Sequence, residues 1–296
     1  LPVGVSAGGP DTWSQREVFA PAVRVGCPAD AFNELGQDWG LPPWKPAELA
    51  AAGYAPFRDV VRSVLQHADG IRIDHIAGLW RLWWIPPGEP AHRGTYVHYD
   101  ADAMLAVLAL EAHRAGAPVI GEDLGTIPDG LRAALDASGV MGCRVAMFER
   151  DWDGSRDFLP PETYTRTALA SWATHDLPTW EGWRQGRDID WRAQLGEVPN
   201  EAAARRDRAA DVAAFDRLAG GSDMAAMHRH LAQAASHLVA VQGEDLAGAV
   251  EQCNLPGTVY EHPNWCRRLP LPLSGLISAP SLEHTSLLMA EAGRIP

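Results

Sequence analysis

Short apolar runs alternate with helically periodic stretches through the chain from Tyr99 onward, and that rhythm sets the expected fold class. Met104, Leu105, Leu108 and Ala112 fall on one arc at helical spacing, which predicts a helix over 101–115 closed by Gly116. Pro118-Val119-Ile120 is a continuous apolar run, the pattern of a strand buried on both faces. Thr126 and Pro128 supply cap and first-turn signals for a helix through Leu135. Further strands are predicted over 143–148, 168–174 and 237–242, with an Ala- and Arg-rich helical stretch over 200–236 and a closing helix over 281–292. Upstream, Ile71-Arg72-Ile73-Asp74 reads as a strand entered from Gly70. Helices are expected over 45–52 and 57–67, and a short strand over Pro2 to Val5. The rest of the first 45 residues is Gly- and Pro-rich, longer than an ordinary connection and therefore functional in character.

Strand candidates mostly separated by helices predict a parallel sheet with crossover helices. Such a sheet can stay open and doubly wound, or close into a (β/α) barrel. The Gly-rich phosphate fingerprints G-x-G-x-x-G and G-x-x-x-x-G-K-[ST] are absent from the sequence, which weakens the nucleotide-binding version.

Composition narrows the classes further. With 46% hydrophobic and 21% charged residues among 296, disorder and collagen-like arrays are poor fits. Acidic residues outnumber basic ones, 38 to 25, and the net charge of -13 argues against a nucleic-acid partner. No apolar run approaches the ~18 residues of a membrane span, and no signal sequence opens the chain. Cys27, Cys143, Cys253 and Cys266 are far apart and form no C-x-x-C pair, so a reducing cytoplasm is expected rather than a disulfide framework or zinc site. No metal or cofactor is called for. The chain opens Leu1-Pro2-Val3 without an initiator Met and reads as a fragment.

The chemistry lies at strand ends. Asp74, Glu122 and Asp176 each follow a predicted strand, where an ionised carboxylate is costly to desolvate without a partner. One such Asp is as well explained as a helix cap; three in one chain, two beside a His, are less easily dismissed. Arg72 and Asp74 stand two apart and so share a strand face, where the guanidinium favours an ionised carboxylate fit to be a nucleophile. Glu122 instead follows Val119-Ile120-Gly121, with no cation within four residues, so desolvation favours the protonated form that a general acid needs. Two oppositely prepared carboxyls are the arrangement of glycoside chemistry. Among the 12 Trp residues, Trp39, Trp44, Trp80, Trp83, Trp84, Trp180 and Trp183 occupy polar or loop-like surroundings where an indole face can pack on a sugar. Core filling is the stronger reading for Trp83 and Trp84, and Trp39, between Asp38 and Gly40, is the better sugar candidate.

Gly70-Ile-Arg-Ile-Asp-His-Ile-Ala-Gly78 resembles the nucleophile motif of the 4-alpha-glucanotransferases, or amylomaltases. Gly121-Glu-Asp-Leu-Gly125 resembles their acid/base motif, and Thr174-His-Asp-Leu-Pro-Thr179 their third-carboxylate motif. Leu1-Pro-Val-Gly-Val5, Gly36-Gln-Asp-Trp-Gly-Leu-Pro42, Phe158-Leu-Pro160 and Asn264-Trp265 add to the likeness, which runs to about residue 268.

The resemblance implies an α/β fold: a (β/α)8 TIM barrel of the alpha-amylase type, incomplete here, with strands three to eight present. Residues 1–296 would be the C-terminal portion of that catalytic domain, loop-rich over 1–55 and with a helical insert at about 185–236. It also implies retaining transfer of α-1,4-glucan segments between maltooligosaccharides, with glucose released from short donors. Asp74 would be the nucleophile and Glu122 the acid/base, their carboxyls ~5–5.5 Å apart. Asp176, with His175 and Arg72, would bind sugar hydroxyls at the cleavage point. Gln37 and Trp39 would serve the acceptor side, with Asn264 and Trp265 as further substrate contacts. An α-glucan hydrolase using water as acceptor and an inactive glucan-binding fragment are the competing functions.

Elsewhere the residues read as structural. His228 and His230 stand at i and i+2, which do not share a helix face. Arg205-Arg206-Asp207-Arg208 reads as a solvated helix face, and Glu244-Asp245 either lines the cleft or caps a helix.

Overall fold

A computed structural model describes residues 1–29 and 36–294; residues 30–35, within the loop-rich stretch 1–55, and residues 295–296 lie outside the described residues. The chain divides into two compact units, Leu1–Cys143 and Arg144–Pro296.

The strands of the first unit are β1 (Arg24–Cys27), β2 (Gln37–Leu41), β3 (Ile71–Ile73), β4 (Arg81–Ile85), β5 (Thr95–His98) and β6 (Val119–Gly121). β3 and β6 form a parallel pair with Ile71 opposite Val119, Arg72 opposite Ile120 and Ile73 opposite Gly121. Ile71, Ile73 and Val119 are buried in a core with Phe57, Val61, Met104, Leu108 and Leu131, so the inward face of the pair is held by helix side chains. Those come from helices Ala55–Leu65, Ala101–Ala115 and Leu131–Ala137. The helix over 101–115 forms as its apolar arc predicts. Asp100 caps it by accepting the Ala103 N–H at 3.0 Å, and Gly116 ends it at φ 63°, a left-handed turn that suits glycine.

A four-stranded antiparallel sheet, in the order β2-β1-β4-β5, stands outside the βα rhythm that the sequence predicts. Gly26 is where it is tightest: a Cβ there would come within 1.9 Å of the Gln37 carbonyl on β2.

Several boundaries differ from expectation. Residues 2–5 are not a strand. Leu1 alone flanks β3, its backbone N donating to the Arg72 carbonyl and its carbonyl accepting from the Asp74 N–H, and Pro2 has no N–H with which to continue. The helix expected after Thr126 begins at Leu131, because Gly130 lies at φ 79° and cannot be helical.

In the second unit the helical stretch 200–236 is two helices, Glu201–Ala219 and Met224–Ala232. They are separated at Gly220, at φ 69°, and Asp223 recaps the chain.

β7 (Gly142–Val145) crosses the point of division, and β8 (Ala168–Ser171) and β9 (Leu238–Ala240) belong to the second unit. The three form one sheet in the order β7-β8-β9, with β8 and β9 parallel. All three are shorter than expected. β7 stops where the Phe148 N–H folds back to the Val145 carbonyl at 2.7 Å, and β8 where Ser171 Oγ donates to the Ala173 carbonyl at 2.9 Å. The core of this unit is aromatic: Trp172, Trp180, Trp183 and Phe215 pack edge to face or stacked, with centroids 4.8–6.4 Å apart. Trp180 and Trp183, whose sequence surroundings are polar enough to admit a sugar contact, are 1% and 3% exposed and serve as core. No described helix is long and apolar enough to cross a membrane.

Candidate active site

Register places two of the expected carboxylates at neighbouring strand ends. Ile73 pairs with Gly121, so Asp74 and Glu122 are the next residues along β3 and β6. Adjacent strands lie ~4.8 Å apart. The ladder continues past the strands, with the Glu122 N–H donating to the Ile73 carbonyl at 2.9 Å and the Ile76 N–H to the Glu122 carbonyl at 3.0 Å. Gly121 has no side chain for a packing reason, since a Cβ there would meet Ile76 at 2.8 Å.

Arg72 lies on the same strand face as Asp74, and its Nη1 donates to Asp74 Oδ1 at 2.6 Å. Glu122 is held differently. Its Oε2 accepts the His75 N–H at 2.8 Å and its Oε1 the Leu124 N–H at 3.0 Å. Burial pushes the Glu122 carboxyl above its ordinary range, against the pull of these two N–H groups; Asp74 adds to the rise and Arg72 opposes it. Beneath it, fully buried Asp123 accepts from the Cys143 N–H at 2.7 Å and from Arg132 Nε at 3.0 Å, which pins the turn after β6.

Gln37 and Trp39 share a face of β2, with Trp39 Nε1 donating to Gln37 Oε1 at 3.2 Å. Trp39 thus stands on a strand rather than in the expected loop. It is half-buried, its ring edge-on to His75 at 5.4 Å. In sequence, His75 is marked only by its adjacency to Asp74. Its backbone at φ 47° marks it as a built position, since a non-glycine residue in the left-handed region is uncommon.

The other candidates lie in the second unit. Asp176 follows β8 in the turn over 174–179, and His175 Nε2 is 3.5 Å from its Oδ2. Asn254 Nδ2 donates to Asp176 Oδ1 at 2.6 Å, a partner that sequence reasoning missed because nothing in its local pattern links it to a residue 78 positions away.

Asn264 has its amide engaged within its own loop. Oδ1 accepts the Leu255 N–H and faces His262 Nδ1, while Nδ2 donates to Thr258. It shapes the loop instead of offering a free amide to a sugar. Trp265, carried by that loop, is 65% exposed with φ 58°, and its ring is 5.3 Å from that of His175. His228 and His230 turn to separate partners, Thr285 and Tyr164.

Chemically, the first unit sets a carboxylate gripped by a guanidinium beside a carboxyl whose surroundings favour its proton. That is what covalent attack coupled to proton transfer requires.

A family model described as 4-alpha-glucanotransferase matches residues 1–274. A 4-alpha-glucanotransferase of Mycobacterium tuberculosis is 44% identical across 99% of this chain and 43% of its own length. One from Haemophilus influenzae is 35% identical across 99% and 44% respectively. Among solved structures, the amylomaltase of Corynebacterium glutamicum has a TM-score of 0.90 and 33% identity, over 97% of this chain and 45% of that one. The amylomaltase of Streptococcus agalactiae in complex with acarbose, at 21% identity, has a TM-score of 0.76 over 100% of this chain and 57% of its own. The chain therefore spans less than half the length of the first two relatives.

Proposed function

The chain belongs to the 4-alpha-glucanotransferase family, and on that footing we propose that it transfers α-1,4-glucan segments between maltooligosaccharides by retaining double displacement. Asp74 attacks the anomeric carbon and holds the glucosyl group covalently. Glu122 protonates the departing glycosidic oxygen, then takes the proton from the acceptor hydroxyl. The observation that carries this reading is the register of β3 with β6, which sets Asp74 beside Glu122 with Arg72 bound to the former and burial acting on the latter. Retaining chemistry needs its carboxyls ~5–5.5 Å apart, and neighbouring strand ends favour that spacing.

Asp176 is the third carboxylate of the reaction, supported by its motif and by the clasp from Asn254. His175 and Arg72 contact donor hydroxyls, Gln37 and Trp39 serve the acceptor, and Trp265 offers an exposed indole face for a sugar ring. Asn264 acts on substrate only through the loop that presents Trp265. The parallel pairs β3–β6 and β8–β9 are read as members of an incomplete (β/α)8 barrel, supported by the likeness to the C. glutamicum amylomaltase, although residues 2–5, the expected strand three, form no strand. Widely spaced cysteines with no C-x-x-C pair fit a cytoplasmic setting.

Maltotriose separates transfer from hydrolysis. A ladder of longer oligomers together with glucose is the expected product; glucose and maltose alone would make water the acceptor. Asp74→Ala should abolish the ladder, and its persistence would reject the nucleophile.

A further inference from the structure

The turn that follows Asp74 does more than end a strand. His75 adopts φ 47°, a conformation unfavourable for most side chains and easy for Gly and Asn. What it achieves is convergence of two bonds on one residue: the His75 N–H donates to Glu122 Oε2 at 2.8 Å and the next N–H, of Ile76, to the Glu122 carbonyl at 3.0 Å. In an extended conformation successive N–H groups point to opposite sides, and the Ile76 N–H would turn away from β6. The turn is also fastened from outside. The Gly78 N–H bonds back to the His75 carbonyl at 2.8 Å, and the imidazole meets Trp39 edge-on at 5.4 Å. Charged groups facing this corner are Asp74 and Arg72 from β3, Glu122 from the end of β6, and Arg81 from β4, which acts on the His75 ring.

We propose that His75 is a positioning residue: its left-handed backbone lets two successive N–H groups close on Glu122, one of them on the carboxyl, and its ring, braced by Trp39, holds that turn. This rests on the reading of Glu122 as the proton carrier. It adds that the proton affinity of Glu122 is set partly by a neighbouring peptide group and reaches β2 through Trp39. A hydrogen bond to the ionised form favours that form, so swinging the His75 N–H away moves the Glu122 titration upward.

The test is a carbon-detected carboxyl titration of the 296-residue chain, with the Glu122 signal identified by its loss in Glu122→Gln. In His75→Val, a β-branched residue that resists the left-handed region, the Glu122 midpoint should rise. In His75→Asn, which accepts that region, it should stay near wild type. Maltotriose turnover should fall about tenfold or more in the valine variant and recover substantially with asparagine. An unmoved midpoint in folded His75→Val overturns the proposal, as does an equal rise in both variants. Should the valine variant not fold, Trp39→Ala carries the test: an upward move supports the brace and an unmoved midpoint refutes it. Full turnover by Glu122→Gln would remove the proton-carrier role while leaving the titration result intact, so the two failures are separately visible.

Discussion

Asn254 reaches across 78 residues of sequence to donate its Nδ2 to Asp176 Oδ1 at 2.6 Å. Asn254 is itself steadied by Gln252, whose Nε2 donates to the Asn254 carbonyl at 2.6 Å. A hydrogen bond to a charged group is worth about 1.5–3 kcal/mol, and at the half-exposed Asp176 the lower end applies. Asn254→Ala should therefore lower kcat/KM for maltotriose about tenfold while leaving the thermal midpoint nearly unchanged. A loss of melting temperature equal to that of a core variant would make Asn254 a structural residue.

Glu122 predicts a pH profile. Its carboxyl is raised chiefly by burial, so the protonated acid persists to higher pH than an ordinary glutamic acid allows. Activity that depends on this acid should hold through the ordinary carboxyl range and decline as pH rises through the Glu122 value. Exposing the site to water with Ile76→Ser should shift the alkaline limb of kcat/KM downward. The limb should vanish in Glu122→Gln, and a limb that survives there would belong to another group.

Gly121 offers a steric test of the same corner. A methyl added there would lie 2.8 Å from Ile76 Cγ1 and 3.0 Å from its Cβ, and Ile76 is itself fully buried. Gly121→Ala must push Ile76, and with it the peptide bonded to the Glu122 carbonyl. Overpacking of this kind costs about 1–3 kcal/mol, read as a lower urea midpoint. Because the displaced residues adjoin Glu122, turnover should fall by more than the loss of folded protein accounts for. The double variant Gly121→Ala with Ile76→Val, which frees volume, should recover part of both.

The three carboxylates were legible in sequence because each follows a short apolar run, and that pattern survives in the structure as Asp74 and Glu122 at paired strand ends. The antiparallel sheet was not legible. Arg81-Leu82-Trp83-Trp84-Ile85 shows no clean alternation, and β1 and β2 are short stretches amid Gly and Pro whose intervening sequence has no hairpin signature. The core role of Trp180 and Trp183 was hidden for a related reason. Their neighbours Glu181 and Arg184 are polar in sequence, but the indoles turn into an aromatic core assembled with the distant Phe215, and Arg184 packs its guanidinium 4.9 Å over the Trp180 ring. Asn254 and the His75 turn were hidden because a long-range hydrogen bond and a positive φ leave no periodic trace.

Asp245 supplies the last prediction, and it concerns stability. It is 2% exposed, its Oδ1 accepts the Trp180 N–H at 2.7 Å, and its Oδ2 has no partner among the described residues. Burial raises its carboxyl to about 7, with Glu244 and Glu181 adding to the rise and the Trp180 N–H opposing it. The unfolded chain therefore loses this proton first, near the ordinary aspartate value, while the folded chain keeps it until about pH 7. Between those limits the folded state binds more protons, so its contribution to stability declines as pH rises, by up to roughly 4 kcal/mol. Asp245→Asn keeps an oxygen for Trp180 and cannot ionise, so it should flatten the pH dependence of the urea midpoint between about pH 4 and 8 and stabilise the protein at the upper end. The reverse outcome, a variant less stable at pH 8 with the slope intact, would mean that the ionised carboxylate is the form the fold prefers at the start of helix Trp180–Gln185.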